Sequence, residues 1–220
     1  MFETIIKLLT KYWPIYLEGL WGTIWISVVV VLLGSIIGAL LAFGKMSKKR
    51  ILNIPINIYI EIVRGTPILL QLVFFYFGVA ELVPFELPKI YWIIMALVVN
   101  SSAYVAEVIR SGINAVDKGQ FEAAKSLGLP NKLMMRKIIM PQAIKNILPA
   151  LGNEFVMMIK ETSLASLYYI PSLMTSEILV SGATYQKIES LIIVGVLYLM
   201  ITLPLSQLVN YYERKFALND

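Results

Sequence analysis

Seven charged residues stand inside runs that are otherwise apolar, and from them this chain could build chemistry: Glu61, Arg64, Glu107, Arg110, Glu154, Lys160 and Glu161. A charge at the centre of a hydrocarbon layer costs about 3 kcal/mol on insertion scales, so each should face a bundle interior or a watery cavity. Spacing pairs most of them. Glu61 with Arg64 and Glu107 with Arg110 are predicted to pair on one helix face, and Lys160 adjoins Glu161. Lys160 and Ser163 could also serve as base and nucleophile, but no oxyanion or metal constellation accompanies them. Histidine and cysteine are absent. That excludes disulfides, thiolate zinc sites and imidazole general bases. A Gly-x-x-x-x-Gly-Lys-Ser/Thr phosphate loop is absent too, so this chain does not cradle nucleotide phosphates itself.

The elements that carry these charges belong in a bilayer. The chain has 220 residues of which 58% are hydrophobic, with a mean hydropathy of +0.75, too apolar for a soluble surface. The net charge of +5 lies in short segments between apolar runs, which fits orientation in a membrane and provides no basic domain for nucleic acid. The first apolar run is about twice the length of a signal-peptide core, so it does not read as a cleaved leader. Residues 1–14 read as an interfacial lead-in.

Five spans are predicted at 16–43, 54–79, 90–110, 147–168 and 191–212, with a polar connection at 114–145 and a short outer helix from Pro171 to about Leu179. Gly34 and Gly38 form a small-xxx-small pair suited either to packing within the chain or to a subunit contact. Lys and Arg number twelve in the 45–50 and 118–145 loops plus positions 214 and 215, against four in the N-terminus and the 80s and 180s loops. The positive-inside rule then places the N-terminus outside and the C-terminus inside. The expected class is an all-α membrane protein with one transmembrane domain.

Depth along these spans sorts the polar groups into two layers. At about 1.5 Å per residue, Glu61, Glu154, Glu107 and Arg110 lie about 10 Å or less from the cytoplasmic ends, a candidate inner gate with Arg64. Gly65, Thr66, Asn100, Ser101, Ser102, Lys160, Glu161 and Ser163 fall at about 15 to 25 Å, near the midplane. Pro67 has no N–H and disrupts the helix bond toward Val63, so backbone groups near Gly65 and Thr66 are expected to turn toward a cavity. Interrupted helices at this depth suit the carboxylate and amine of a zwitterion. Asn100, Ser101 and Ser163 add neutral donors and acceptors; interhelical hydrogen bonding is their bland alternative, with even odds for Ser102. Four intramembrane acids against three bases lean toward a cationic or zwitterionic solute, and Glu154 has no local base.

The 114–145 connection holds the densest local signal. Asp117 with Gln120 reads as a helix N-terminus, Phe121, Ala124 and Leu127 recur at helical spacing, and Gly128 closes the helix before Pro130. A second helix then starts at Asn131, carrying Lys132, Arg136 and Lys137. Glu122-Ala123-Ala124, three residues, Gly128, nine residues and Ile138-Ile139-Met140-Pro141 resembles the EAA motif of permease subunits of ABC importers, with Met140 where Leu is usual. The runs Glu61-Ile-Val-Arg-Gly-Thr-Pro-Ile-Leu-Leu-Gln71, Gly152-Asn-Glu-Phe155 and Lys160-Glu-Thr-Ser-Leu164 resemble the polar amino acid branch of that family.

The resemblance implies an ATP-driven importer in the inner membrane for polar amino acids, with basic ones as the narrower reading. A separate dimer of ATPase subunits would hold ATP and Mg, and no cofactor would bind this chain. It also implies an external amino acid-binding protein, a second permease copy or a paralogue, and contacts with membrane lipid. Glu122, Ala123, Ala124, Gly128 and Arg136 would couple to the ATPase. Gly65, Thr66, Asn100, Ser101, Glu154, Glu161 and Ser163 are the candidate substrate pocket. The rival readings are an ATP-independent channel or secondary transporter, for which the 114–145 loop would be dispensable, and a membrane enzyme built on Lys160 and Ser163.

Overall fold

The computed structural model describes residues 1–47 and 49–217; Lys48 of the basic run and positions 218–220 of the expected tail lie outside the described residues. Among the described residues all regular structure is helical. Helix α1 spans Phe2–Lys45 and is bent at Tyr12, whose backbone leaves the helical region just before Pro14. The expected lead-in and first span are therefore one helix. Its buried face is a line of small residues, among them Gly19, Thr23, Ser27, Gly34, Gly38 and Ala42. A Cβ on Gly34 would stand 2.7 Å from the Ser101 hydroxyl, and one on Gly38 would stand 2.7 Å from the Val105 Cβ. The glycine pair thus brings α1 against the third long helix of this same chain, so the packing within one chain accounts for it.

Helix α2 (Arg50–Gly65) and helix α3 (Ile68–Val73) meet at an interruption, and α3 runs on through a π-helical stretch, Phe74–Val79, into α4 (Ala80–Leu82). The two halves are bent by 107°. The predicted second span is therefore a broken one. Thr66 and Pro67 are both extended, as expected where a proline removes an N–H and pushes the preceding residue out of the α region. Helix α5 is Lys89–Asn114, α6 is Lys118–Ser126 and α7 is Asn131–Met134. A π-helical stretch, Met135–Ile139, joins α7 directly to α8, Met140–Glu161, which ends in a 3₁₀ segment, Thr162–Tyr168. Helix α9 is Leu173–Thr184 and α10 is Lys187–Ala217.

Two boundaries differ from expectation. The second coupling helix and the fourth span form one unbroken rod from Asn131 to Glu161, because the π turn before Pro141 accommodates its missing N–H. The outer helix starts at Leu173 rather than Pro171 and runs to Thr184. Ser172 provides the cap, its hydroxyl accepting from the Thr175 N–H at 3.2 Å, which leaves Pro171 outside the helix. By length and composition α1, α5 and α10 are each apolar enough to cross a membrane, as is the bent α2–α3 pair taken together. Helix α8 carries Lys145, Glu154, Lys160 and Glu161 and is not among them.

Three apolar clusters hold the bundle together. The inner one packs Ile60 and Val63 of α2 and Ala106 and Ile113 of α5 against Ala124, Met134 and Ile139 of the α6–α8 unit. The middle one joins Ile26 of α1, Leu72 of α3 and Leu97 of α5 to Met158 of α8. The third unites the start of α1 with Leu173, Val180 and Ile193 of α9 and α10. Most of the apolar length of α10 stays uncovered, consistent with contact with lipid.

Candidate functional site

The break between α2 and α3 is closed from within the chain. Thr66 Oγ1 donates to the Ile62 carbonyl at 2.9 Å. Gln71 Nε2 donates to the Val63 carbonyl at 2.7 Å and to Thr66 Oγ1 at 3.0 Å. These are carbonyls that lose helical partners at Thr66 and Pro67, so the expectation of backbone groups turned freely toward a cavity is corrected for Ile62 and Val63. The Gln71 oxygen in turn accepts from Asn100 Nδ2 at 3.0 Å. Beside Asn100, Ser101 Oγ donates to Glu154 Oε1 at 3.2 Å, and Glu154 is only 6% exposed.

Two buried polar links, Gln71 to Asn100 and Ser101 to Glu154, start from adjacent positions of α5 and together form a relay from the broken helix through α5 to α8. Of the expected pocket residues it gathers Thr66, Asn100, Ser101 and Glu154. Gly65 lies at the break and is exposed, while Glu161 at the end of α8 and Ser163 in the 3₁₀ segment after it are half-buried, and their side chains make no hydrogen bond or ion pair among the described residues. Glu161 follows Glu154 by seven positions, which keeps both carboxylates on the same side of the helix. Gln71 was missed by sequence reasoning; its signal was a lone amide in the apolar hexad Ile68–Val73. Ser102 takes the bland role, accepting or donating to the Tyr59 hydroxyl at 2.7 Å across the helix interface.

A second polar centre gathers on Glu107. Lys45 Nζ binds its Oε1, Arg110 reaches its Oε2 through Nη2 at 2.8 Å and Nε at 3.0 Å, and Arg64 Nη1 stands at 3.8 Å. The expected Glu107–Arg110 pair is present. Glu61 and Arg64 do not pair: Glu61 is exposed, and the guanidinium turns to α5, where it lies 5.5 Å from the Tyr104 ring centroid. The physical reason is burial. Glu107 is 12% exposed, so attraction there is screened less than at an exposed i,i+3 carboxylate. Lys160 and Glu161 also stay apart, since consecutive helical residues point in different directions; Lys160 is exposed while Glu161 is half-buried. Lys45 was missed as a partner because it reads as part of the 45–50 basic run.

The α6–α7 knob has the geometry expected of it. The Asp117 side chain accepts from the Gly119 N–H at 2.7 Å and opens α6. Gly128 has φ +70, the left-handed region that glycine enters without steric cost. Its N–H donates to the Lys125 carbonyl at 2.9 Å and the Leu129 N–H to the Ala124 carbonyl at 3.1 Å, the two bonds of a Schellman closure. Glu122, Ala123, Leu127, Lys132 and Arg136 are exposed. Ala124 is not: at 1% exposure it seats α6 on Met134 and Ile139, so its part in the knob is packing.

The rod that begins in this knob also carries Glu154, so one continuous helical run joins the exposed knob to the buried carboxylate. Residues 15–218 match the model of the binding-protein-dependent transport system inner membrane component family. The chain is 41% identical over 207 residues to the arginine transport system permease protein ArtQ of Bacillus subtilis, with 94% of each chain covered. It is also 41% identical over 219 residues to the putative glutamine transport system permease protein GlnP of Rickettsia conorii, with 100% of each covered. A solved amino acid ABC transporter chain matches with TM-score 0.90 and 42% identity over 94% of this chain and 96% of that one. A chain of the MetNI methionine ABC transporter shares the fold, with TM-score 0.74 at 17% identity over 92% of this chain and 96% of that one. Permease subunits of ABC transporters are transport components rather than enzymes, which sets aside both the Lys160–Ser163 enzyme and the ATP-independent channel. The chain belongs to the binding-protein-dependent transport system inner membrane component family, as the permease subunit of an ABC transporter.

Proposed function

We propose that this permease imports polar amino acids, with a preference for basic ones, through a pocket at the level of the α2–α3 break. The observation that carries the reading is Glu154: a buried carboxylate whose one hydrogen-bond donor among the described residues is the Ser101 hydroxyl, at the end of a relay that joins three helices. An ammonium or guanidinium would satisfy that charge. Gly65, Thr66, Asn100, Ser101, Glu161 and Ser163 complete the pocket, and the carboxylate and amine of the substrate meet polar groups of α3, α5 and α8. The arginine permease among the relatives supports a basic substrate, and the glutamine permease a neutral polar one.

The charge distribution supports five spans with the N-terminus outside and the C-terminus inside. In that orientation the knob is cytoplasmic. Glu122, Ala123, Gly128 and Arg136 dock the ATPase, and Ala124 holds α6 in place for it. The continuous Asn131–Glu161 rod then carries movement of the ATPase to Glu154, while the Glu61, Arg64, Glu107 and Arg110 region gates the inner end. Two permease copies enclose the pathway, since five spans surround little volume, and an external binding protein delivers the substrate.

The test is uptake by the complex reconstituted in vesicles with its ATPase and binding protein. Glu154→Gln is expected to reduce arginine uptake at least about tenfold, the loss of one charged hydrogen-bonded contact, and glutamine uptake far less. Equal loss for both amino acids would remove Glu154 from selectivity.

A further inference from the structure

Arg64 is the one loosely held cation of the Glu107 centre. Glu107 Oε1 is taken by Lys45 and Oε2 by two nitrogens of Arg110, whereas Arg64 stands at 3.8 Å, beyond hydrogen-bond reach. Its side chain is 41% exposed, against 14% for Lys45. Three bases around one carboxylate leave the centre with an excess of two positive charges. The guanidinium opens onto a cavity of about 410 Å³ that Glu107 also lines, with its oxygens already held by Lys45 and Arg110; the other polar wall residues, Tyr104 and Ser111 of α5 and Asn146 of α8, are neutral. That volume falls in the range of small-molecule sites, about 300 to 1,000 Å³. None of the relay residues Thr66, Gln71, Asn100, Ser101 or Glu154 lines it.

We propose that this cavity is a second amino acid site, distinct from the Glu154 pocket, which holds the α-carboxylate of the transported solute on Arg64. A guanidinium matches a carboxylate through two parallel N–H···O bonds, which a lysine in the same place could not form. The Tyr104 ring, 5.5 Å from the guanidinium carbon, braces it at the cavity wall. The Ser111 and Asn146 oxygens are the acceptors available to the solute's ammonium. Gly112, Ala115 and Ala150 make one part of the wall small and apolar, with no charged group there to read the side chain, so the site takes arginine and glutamine alike. The inference rests on the amino acid reading above but uses none of its pocket residues. In the proposed orientation the site lies at the cytoplasmic end, where a solute leaving the Glu154 pocket would meet it.

Equilibrium binding of radiolabelled arginine and glutamine to the permease–ATPase complex in nanodiscs tests it. Two amino acids per permease chain are expected. Arg64→Gln should remove one of them for both amino acids, and Glu154→Gln should remove the other for arginine while leaving it for glutamine. Arg64→Lys should keep the site but weaken it about tenfold through loss of the bidentate contact. Argininamide, which lacks the carboxylate, should fail to fill the Arg64-dependent site. The unliganded melting midpoint of each variant checks that folding is kept; should Arg64→Gln fail that check, Asn146→Ala, on the opposite wall, is expected to weaken the same site. A single wild-type site, an unchanged count in Arg64→Gln, or full occupancy by argininamide would overturn the proposal. Displacement of arginine by inorganic phosphate as readily as by glutamine would also overturn it, by making the cavity a general oxyanion site. Loss of one arginine in Arg64→Gln with no arginine lost in Glu154→Gln would instead sink the Glu154 pocket and leave this site standing.

Discussion

The turn that joins α6 to α7 is closed by residues a few positions apart, whereas the relay ending on Glu154 draws Val63, Gln71, Asn100 and Ser101 from three different helices. In the knob each orphan backbone group finds a neighbour: Asp117 serves Gly119, Lys125 serves Gly128, and Ala124 serves Leu129. In the relay the freed carbonyl of Val63 waits for an amide eight residues on, and that amide leans on Asn100, a further 29 residues away. The turn of the knob is therefore set locally, although Ala124, Met134 and Ile139 also pack on α2 and α5, while the relay exists only once α3, α5 and α8 have packed. That difference suits the docking role proposed for the knob and the substrate role proposed for the pocket.

The largest effect on this contrast should come from breaking the knob alone. Gly128→Val forces a β-branched residue to φ +70, where a non-glycine costs about 1–2 kcal/mol and branching adds to it. Nothing lies within 4 Å of a Cβ there, so the cost is conformational rather than a clash. We expect uptake to fall at least about tenfold while the complex goes on hydrolysing ATP and the isolated permease still binds amino acid. Loss of binding in the same variant would mean that knob and relay are not separable.

The same contrast governs how much could be read before the fold was known. Asp117, Gly128 and Pro130 act through rules that span one turn, so the knob was legible down to the residue that closes it. The apolar runs and the 107° break at Pro67 were legible for the same reason. Partners that meet only in the folded bundle were not. Lys45 reads as one more basic loop residue until α1 and α5 lie side by side, 62 positions apart in sequence. Arg64 reads as the partner of Glu61 until α5 offers a better-buried carboxylate. Continuity of the rod through Pro141 was hidden as well, because a proline ordinarily marks an end and only the π turn before it allows the helix to run on. Local chemistry was therefore recoverable from sequence, and cross-helix chemistry only as a set of unpaired candidates.

A moderate effect is expected from the complementary variant, Gln71→Leu. Leucine matches the apolar hexad around it but leaves the Val63 carbonyl and the Asn100 amide without the partners that they have at 2.7 Å and 3.0 Å. Each buried polar group left unmade costs about 1–3 kcal/mol. The melting midpoint of the complex should drop and amino acid binding at the Glu154 pocket should weaken, with ATP hydrolysis still coupled to whatever uptake remains. Uncoupling instead of weakened binding would place Gln71 with the knob and dissolve the contrast.

The smallest effect should come from Ser102→Ala, one residue beyond the relay. Its hydroxyl bonds Tyr59 at 2.7 Å and its own helix at the Val99 carbonyl, 2.8 Å away. Tyr59 loses little in the variant, because its hydroxyl also donates to the Val99 carbonyl at 2.9 Å. Interhelical hydrogen bonds in membrane proteins average about 0.6 kcal/mol, since the alternative state finds partners too. We therefore expect a barely measurable change in stability, and uptake within about twofold of the unmodified permease. A loss comparable to that of Gln71→Leu would extend the relay through Ser102 to Tyr59 and α2, making the tilt of that helix, and not only its broken end, part of the pocket.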